Sequence, residues 1–245
     1  MAKSDLIIVG SVALDSLKTP FGERERILGG STTFASVAAS VFCKPGIVGV
    51  IGDDFPAEHE LFLEQRGVDL EGLQRQTGTT FHWRGRYEAE DMNTAITEDT
   101  QLGVFADFSP KIPDSFREAD FLFLGNIHPQ LQLDVLDQTK PEVFSAADTM
   151  NFWIEGTPEL LRKVISRVNL MLLNDAEVRD ISGKTNLMDA AEEIRNMGPD
   201  IVVVKKGEHG ALIVSNYGIS LLPAFPLVTA KDPTGAGDTF AGGMM

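Results

Sequence analysis

Near the end of the chain, Lys231-Asp232-Pro233-Thr234-Gly235-Ala236-Gly237-Asp238-Thr239 joins a Gly-Ala-Gly turn to an aspartate and then to small residues that read as the first turns of a helix. Three consecutive peptide N–H groups without bulky side chains converge readily on an anion. A helix start adds a partial positive charge there, equivalent to about half an elementary charge. A carboxylate beside such a cradle, Asp238, is suited to take a proton from an attacking hydroxyl while a phosphoryl group is transferred. The same residues also fit a plain glycine-rich turn in which Asp238 is an ordinary N-cap.

A second glycine pair occurs early, in Leu28-Gly29-Gly30-Ser31-Thr32-Thr33-Phe34-Ala35. Paired glycines before a small-residue helix let a ligand approach the backbone closely. Ser31, Thr32 and Thr33 either cap that helix or bond a hydroxylated ligand, and this segment alone does not choose between the two. Cys43 is the sole cysteine, which excludes an intrachain disulfide and fits a reducing compartment. The four histidines, His59, His82, His128 and His209, lack metal-ligand spacing.

These residues need a scaffold. Apolar β-branched runs at Leu6–Gly10, Gly46–Ile51, Phe121–Gly125, Val143–Ala147, Leu170–Leu173 and Ile201–Val204 read as strands. Helical periodicity occupies Thr32–Phe42, Ala57–Arg66, Gln130–Gln138, Pro158–Val168 and Leu187–Met197. Such alternation predicts an α/β fold with a mostly parallel central sheet covered on both faces. Two stretches break it. Ser16–Leu28 is polar without helical period, and Thr79–Asp107 alternates Phe81, Trp83, Gly85 and Tyr87 with polar residues. Together they predict a small β-sheet lid on a single domain spanning residues 1–245; two long loops are the competing reading.

The 245 residues carry a net charge of −15, which excludes an extended basic surface for nucleic acid. The chain lacks 18 uninterrupted apolar residues, so a cytoplasmic protein without membrane association is expected. It stops inside the helix begun at Thr239, and a C-terminally truncated sequence is the expectation.

Taken in order, the Gly29-Gly30 pair, Val50-Ile51-Gly52-Asp53-Asp54-Phe55, Asn174-Asp175-Ala176-Glu177, Lys205-Lys206-Gly207-Glu208-His209-Gly210 and Asp232-Pro233-Thr234-Gly235-Ala236-Gly237-Asp238 resemble the ribokinase-like, phosphofructokinase-B type family of carbohydrate and nucleoside kinases. The resemblance spans nearly the whole chain. It implies a ribokinase-like three-layer core with a lid, and ATP-dependent phosphorylation of a sugar or nucleoside hydroxyl. By position it implies Asp238 as the general base and Gly235, Ala236 and Gly237 as the anion hole. Asp15, at the end of the first strand, becomes the acceptor-hydroxyl ligand, with Gly29, Gly30, Ser31 and Phe34 around the substrate. Asn174 and Glu177 organise Mg²⁺ through water and the ATP phosphates; a helix cap with a charged first turn would have the same pattern. Lys205, Gly207 and Gly210 belong to a nucleotide-binding turn, or Lys205 is a solvated strand-end charge. Asp232 and Thr234 hold a monovalent cation such as K⁺. Lids of this family often pair between subunits, which implies a homodimer.

Two positions depart from the family pattern. Ala13 and Phe34 stand where members commonly carry asparagines that bond sugar hydroxyls. An apolar Phe34 points to a nucleoside or modified sugar as acceptor rather than a free aldose. The rival reading from another class is a non-catalytic sugar- or nucleotide-binding regulator of the same fold. A dinucleotide-dependent oxidoreductase is disfavoured, because Ser11-Val12-Ala13 follows Gly10 where a Gly-x-Gly-x-x-Gly turn would be required.

Overall fold

The computed structural model describes residues 4–245. Among the described residues, thirteen strands and eight α-helices follow in the order β1 (Leu6–Val9), β2 (Ala13–Thr19), β3 (Gly22–Gly29), α1 (Ser31–Ala39), β4 (Pro45–Ile51), α2 (Ala57–Gln65), β5 (Asp69–Arg75), β6 (Phe81–Glu88), β7 (Asp91–Gln101), β8 (Phe121–Leu124), α3 (Pro129–Leu136), β9 (Phe144–Ala147), α4 (Asn151–Gly156), α5 (Pro158–Ile165), β10 (Leu170–Asn174), α6 (Asp175–Ser182), α7 (Leu187–Arg195), β11 (Ile201–Lys205), β12 (Ala211–Ser215), β13 (Gly218–Leu222) and α8 (Ala236–Met244).

The nine-stranded sheet has the order β13-β12-β11-β10-β9-β8-β1-β4-β5. From β11 to β5 every neighbouring pair is parallel; β12 and β13 add an antiparallel hairpin at one edge. Alternation along β1 explains why both faces are covered. Leu6 and Ile8 point to the face packed by Ala35 and Ala39 of α1, Leu63 of α2 and Ala241 of α8. Ile7 and Val9 point to the opposite face, against Leu133 of α3, Leu161 and Ile165 of α5, Val178 of α6 and Ile194 of α7. The three-layer α/β architecture expected from the sequence is the one observed.

Local signals set the helix ends. Pro129 and Pro158 stand at the first positions of α3 and α5, where a missing N–H costs nothing. Asn186 caps α7, and Gly183, at φ 69°, ends α6 in the left-handed conformation. The α1 helix closes at Ala39 rather than Phe42. Val41 and Phe42 fall in the turn beyond it, 74% and 77% exposed.

A second, four-stranded sheet has the order β3-β2-β6-β7. The β2–β3 and β6–β7 pairs are antiparallel hairpins, joined by parallel pairing of β2 with β6. Its limits differ from the sequence expectation. The strands begin at Ala13 and run to Gly29, so the first segment is wider than 16–28. Gly103–Asp107 is a short 3₁₀ turn, because Val104 and Phe108 are drawn into the main core. Asp15 accordingly lies inside β2, paired with Ile27 and Trp83, and not at the end of the first strand. The β5, β12, β13 and α4 elements were not expected. β5 and β13 are edge strands, and a strand with a free edge and polar neighbours lacks the apolar run that marks a buried one. Among the described residues, no helix is long and apolar enough to cross a membrane.

Candidate active site

The carboxyl ends of neighbouring parallel strands carry most of the polar groups, as expected of an open α/β sheet. Asp148 follows β9 directly. Asn174 ends β10 and is in register with Lys205, the last residue of β11. The Lys205 ammonium lies 3.0 and 2.8 Å from the two carboxylate oxygens of Asp148, in a pair almost withdrawn from solvent. Burial alone would lower the Lys205 pKa; the charges of Asp148 and Glu177 outweigh it and hold the ammonium above its ordinary value.

Asn174 and Glu177 form a complete capping box. Asn174 Oδ1 accepts from the amides of Ala176 (2.9 Å) and Glu177 (2.8 Å), and Glu177 Oε2 accepts from the Asn174 amide at 2.8 Å. The cap alternative is thus realised. Both acceptor directions of Asn174 Oδ1 are committed, which leaves its Nδ2 as a donor but no side-chain oxygen for a metal. Glu177 is 5% exposed and keeps one carboxylate oxygen without a hydrogen bond. Burial, with the Asp148 charge adding to it, raises its pKa, while Lys205 opposes the shift. A single hard oxygen donor of this kind fits a Mg²⁺ that retains its waters and takes further ligands from phosphate. Among the described residues no three His, Cys, Asp or Glu side chains cluster closely enough to hold a metal by themselves.

The Gly-Ala-Gly turn faces this group. Gly235 adopts φ 70°, a left-handed conformation that favours glycine, and its carbonyl accepts from the Thr239 amide at 2.8 Å to start α8. Of the three amides expected to form the cradle, that of Ala236 donates to the Pro233 carbonyl at 3.0 Å. The amides of Gly235 and Gly237 make no such bond among the described residues, so the turn offers two free donors, not three. Packing fixes the helix: Gly242 lies so close to the Ala35 backbone of α1 that a side chain would not fit. A Cβ added at Gly237 would fall 3.3 Å from Lys205 Nζ, which puts the ammonium against the turn. Asp238 is partly accessible. Burial, with the charge of Asp148, pushes its pKa up to about 7; Lys205 lowers it and Asp15 raises it further.

Asp15 is close enough for its charge to act on Asp238. Asp15 is 5% exposed, and burial pushes its carboxyl up to about 7, against the opposing hydrogen bond from the Gly30 amide. Gly29 and Gly30 are glycine for steric reasons. A Cβ on Gly29 would overlap the Asp15 carboxylate, and Gly30, at φ 93°, abuts the Ser11 carbonyl and the Ala13 amide. Ser31 has its hydroxyl engaged within the protein. It is 7% exposed, and its hydroxyl accepts from the Ser11 amide at 3.2 Å and lies 3.3 Å from Ser11 Oγ, locking the loop after β1. Phe34 packs against Gly235 and lines an apolar groove of about 700 Å³ with Ile27, Leu28, Val37 and Phe62.

The small sheet touches both halves of the cleft. Tyr87 of β6 accepts a hydrogen bond from Thr234 Oγ1 at 3.2 Å, while the Thr234 amide donates to Asp232 Oδ1 at 3.0 Å. Asp232 is exposed, and that amide occupies one of its oxygens. At the far end, Asn93 of β7 donates to Glu208 at 3.2 Å. Glu208 belongs to the Gly207–His209 turn, in which Gly207 (φ 53°) and Gly210 (φ 85°) carry left-handed backbone. This turn is therefore bound to the small sheet.

Asp15, Gly29, Gly30, Asp232, Thr234 and Gly235–Asp238 thus converge, as do Asn174, Glu177 and Lys205, and Lys205 joins the two groups. Sequence reasoning missed Asp148 and Tyr87. Asp148 carried a usable signal, the first polar residue past a buried strand expected at Val143–Ala147. Tyr87 carried none, because its partner lies 147 positions away.

Residues 7–245 match the family model described as pfkB family carbohydrate kinase. The chain is 31% identical over 247 residues to cytidine kinase of Thermococcus kodakarensis, covering 98% of this chain and 87% of the relative. Among solved structures, it superposes on a putative ribokinase II from E. coli with a TM-score of 0.83, at 17% identity, covering 98% of this chain and 84% of that one. The nucleoside kinase of Burkholderia thailandensis in complex with inosine gives a TM-score of 0.77 at 19% identity, covering 98% and 82%.

Proposed function

The chain belongs to the pfkB family of carbohydrate kinases, and from that premise we propose that it transfers the γ-phosphoryl group of ATP to a hydroxyl of a nucleoside, with Asp238 as general base. Membership makes it a phosphotransferase with an alcohol group as acceptor. The observation that carries the residue assignment is the position of Asp238. It directly follows the turn with two unbonded amides, against which the Lys205 ammonium lies, and the charges of Asp148, Lys205 and Asp15 all act on it.

In this reading Asp15, backed by the Gly30 amide, holds the acceptor hydroxyl. Asp238 in its ionised form accepts the proton of that hydroxyl as the new oxygen–phosphorus bond forms, a contribution of roughly 10²–10⁴-fold. The Gly235 and Gly237 amides and the amino terminus of α8 stabilise the negative charge on the phosphoryl oxygens. Glu177 would hold a hydrated Mg²⁺, whose chemistry would be charge neutralisation of the phosphates, and Asn174 Nδ2 is free to donate to a water or phosphate oxygen. The Gly207–Gly210 turn flanks the nucleotide. Asp232 and Thr234 would hold K⁺, which would supply further positive charge beside the turn.

A nucleoside acceptor is supported by the apolar Phe34 and Ala13 and by relatives named cytidine kinase and nucleoside kinase. Cytidine is the first acceptor to test. A homodimer formed through the edge strands β3 and β7 of the small sheet belongs to the same reading, and sedimentation analysis tests it. The decisive experiment is a coupled ADP-release assay over a panel of nucleosides and sugars, with Asp238→Asn as control. Best turnover on plain ribose or fructose removes the nucleoside assignment. Equal turnover by the Asp238→Asn variant removes the base. Nucleotide binding without turnover on any acceptor returns the non-catalytic alternative.

A further inference from the structure

The kinase reading leaves the Asp148–Lys205 pair without a task of its own. A tie between two strand ends would not need to be ionic, since apolar side chains of the same size serve that purpose at least as well. The pair also stands in an unusual place. Asp148, Glu177, Asp238 and Asp15 gather four carboxyl groups around the cleft, and Lys205 is the cation whose charge opposes them at Asp238. Its Nζ is bound by both oxygens of Asp148 and is pressed against Gly237, whose amide is one of the two free donors of the turn. A transferring phosphoryl group held by those amides would enter a region already crowded with negative charge.

Resting on the kinase reading, we propose that Lys205 is a catalytic residue of the phosphoryl site, its ammonium neutralising the γ-phosphoryl group against the Gly235–Gly237 turn, and that Asp148 is the positioning residue that aims it. The geometry gives each residue a distinct task. Lys205 leaves the end of β11 and would otherwise be a flexible charge that loses side-chain entropy on docking. Asp148, fixed at the end of β9 by its backbone N–H donating to the Leu124 carbonyl (3.0 Å) and by Gln132 Nε2 donating to its own carbonyl (3.0 Å), holds the ammonium in one position before nucleotide arrives. Preorganised charge of this kind requires no rearrangement at the moment of transfer. Burial disfavours the charge on Lys205, and the hydrogen-bonded carboxylate of Asp148 opposes that effect. A phosphoryl oxygen takes the third N–H of the ammonium.

Single removal of Lys205 leaves Asp148 buried and unpaired, so the double variant Asp148→Asn/Lys205→Met is the primary test, with Lys205→Arg and Asp148→Asn beside it. Two quantities are measured on the full chain with Mg²⁺: the affinities for ADP and for the β,γ-imido analogue of ATP by calorimetry, and kcat and KM with the preferred nucleoside of the panel. Loss of one preorganised donor lowers kcat by about 100-fold or more, and the double variant is expected to show that fall with the acceptor KM little changed. It is also expected to lose the preference of the wild type for the imido analogue over ADP while keeping its ADP affinity, and Lys205→Arg is expected to restore part of both. A double variant with wild-type kcat overturns the assignment. So does one whose affinities for ADP and the analogue fall together, since that is the mark of a structural tie alone. A wild type that turns over no acceptor sinks the kinase reading separately, because the analogue-against-ADP comparison still tests Lys205 by binding.

Discussion

The ring of Phe34, on the first turn of α1, lies against the backbone of Gly235, so that a methyl group at position 235 would have to share its volume. This contact ties the glycine pair near residue 30 to the turn that carries Asp238, two segments some two hundred residues apart. It also sets one wall of the cleft. Gly235 is glycine for two reasons at once, its φ of 70° and the ring above it.

Gly235→Ala therefore combines backbone strain with overlap. The expected cost is about 1–3 kcal/mol of stability from the left-handed conformation alone. A fall of roughly 10²-fold or more in kcat should accompany it as the amide moves off its acceptor. Urea unfolding and steady-state kinetics check both. An alanine variant with native stability and turnover would remove the turn from the phosphoryl site.

Activity should depend on pH through Asp238. With its pKa raised to about 7, the carboxylate is scarce in acid, so kcat/KM is expected to climb between about pH 6 and 8 and then level. Asp238→Asn should lose about 10²–10⁴-fold in kcat and lose the acid limb with it. A limb that persists in the asparagine variant belongs to another group, Asp15 or Glu177, whose carboxyls are also pushed up to about 7.

The same shift appears in stability. A carboxyl whose folded pKa stands above its unfolded value of 3.8 contributes stability that is fully present below that value and is lost as pH rises through about 7. Asn resembles the protonated acid at every pH. Asp238→Asn should thus match the wild type in thermal unfolding near pH 4 and exceed it increasingly up to pH 8. A constant difference across that range would contradict the burial argument.

Tyr87→Phe removes one hydrogen bond between the small sheet and the Asp232–Gly235 loop. A bond of this kind contributes about 0.5–1.5 kcal/mol, so stability should change little. The expected consequence is a looser lid: a KM for the acceptor raised several-fold, with a smaller effect on kcat. Wild-type kinetics in this variant would show that the contact does not govern closure.

Glu177→Gln keeps an oxygen for the Asn174 amide, so α6 should stay capped and the fold intact. The charge on its second oxygen is lost. The Mg²⁺ concentration for half-maximal rate should rise markedly, with KM for the acceptor unaffected. A metal dependence identical to the wild type would relieve Glu177 of its metal role.

How far the sequence could be read follows from the range of the interactions involved. Alternating apolar runs and helical periods are local, and they determined the parallel sheet, its two helical layers and the existence of a second sheet. The Gly-Ala-Gly-Asp turn, the glycine pair and the Asn-x-x-Glu cap are also local, because each is demanded by backbone conformation within a few residues. Edge strands β5 and β13 escaped, since β5 fully buries only Gly72 and β13 is exposed along its whole length, so neither shows the apolar pattern of a buried strand. What the tertiary structure decided is which of these local devices meet. Parallel register sets Asp148, Asn174 and Lys205 on adjacent strand ends, close helix packing at Gly242 lowers α8 toward them, and the small sheet brings Tyr87 to Thr234. The same packing withdrew Ser31 and the Ala236 amide by giving them partners inside the protein. Chemical type and spacing name the groups able to act; only the folded neighbourhood, through burial and charge, determines which carboxyl keeps its proton and which ammonium faces it.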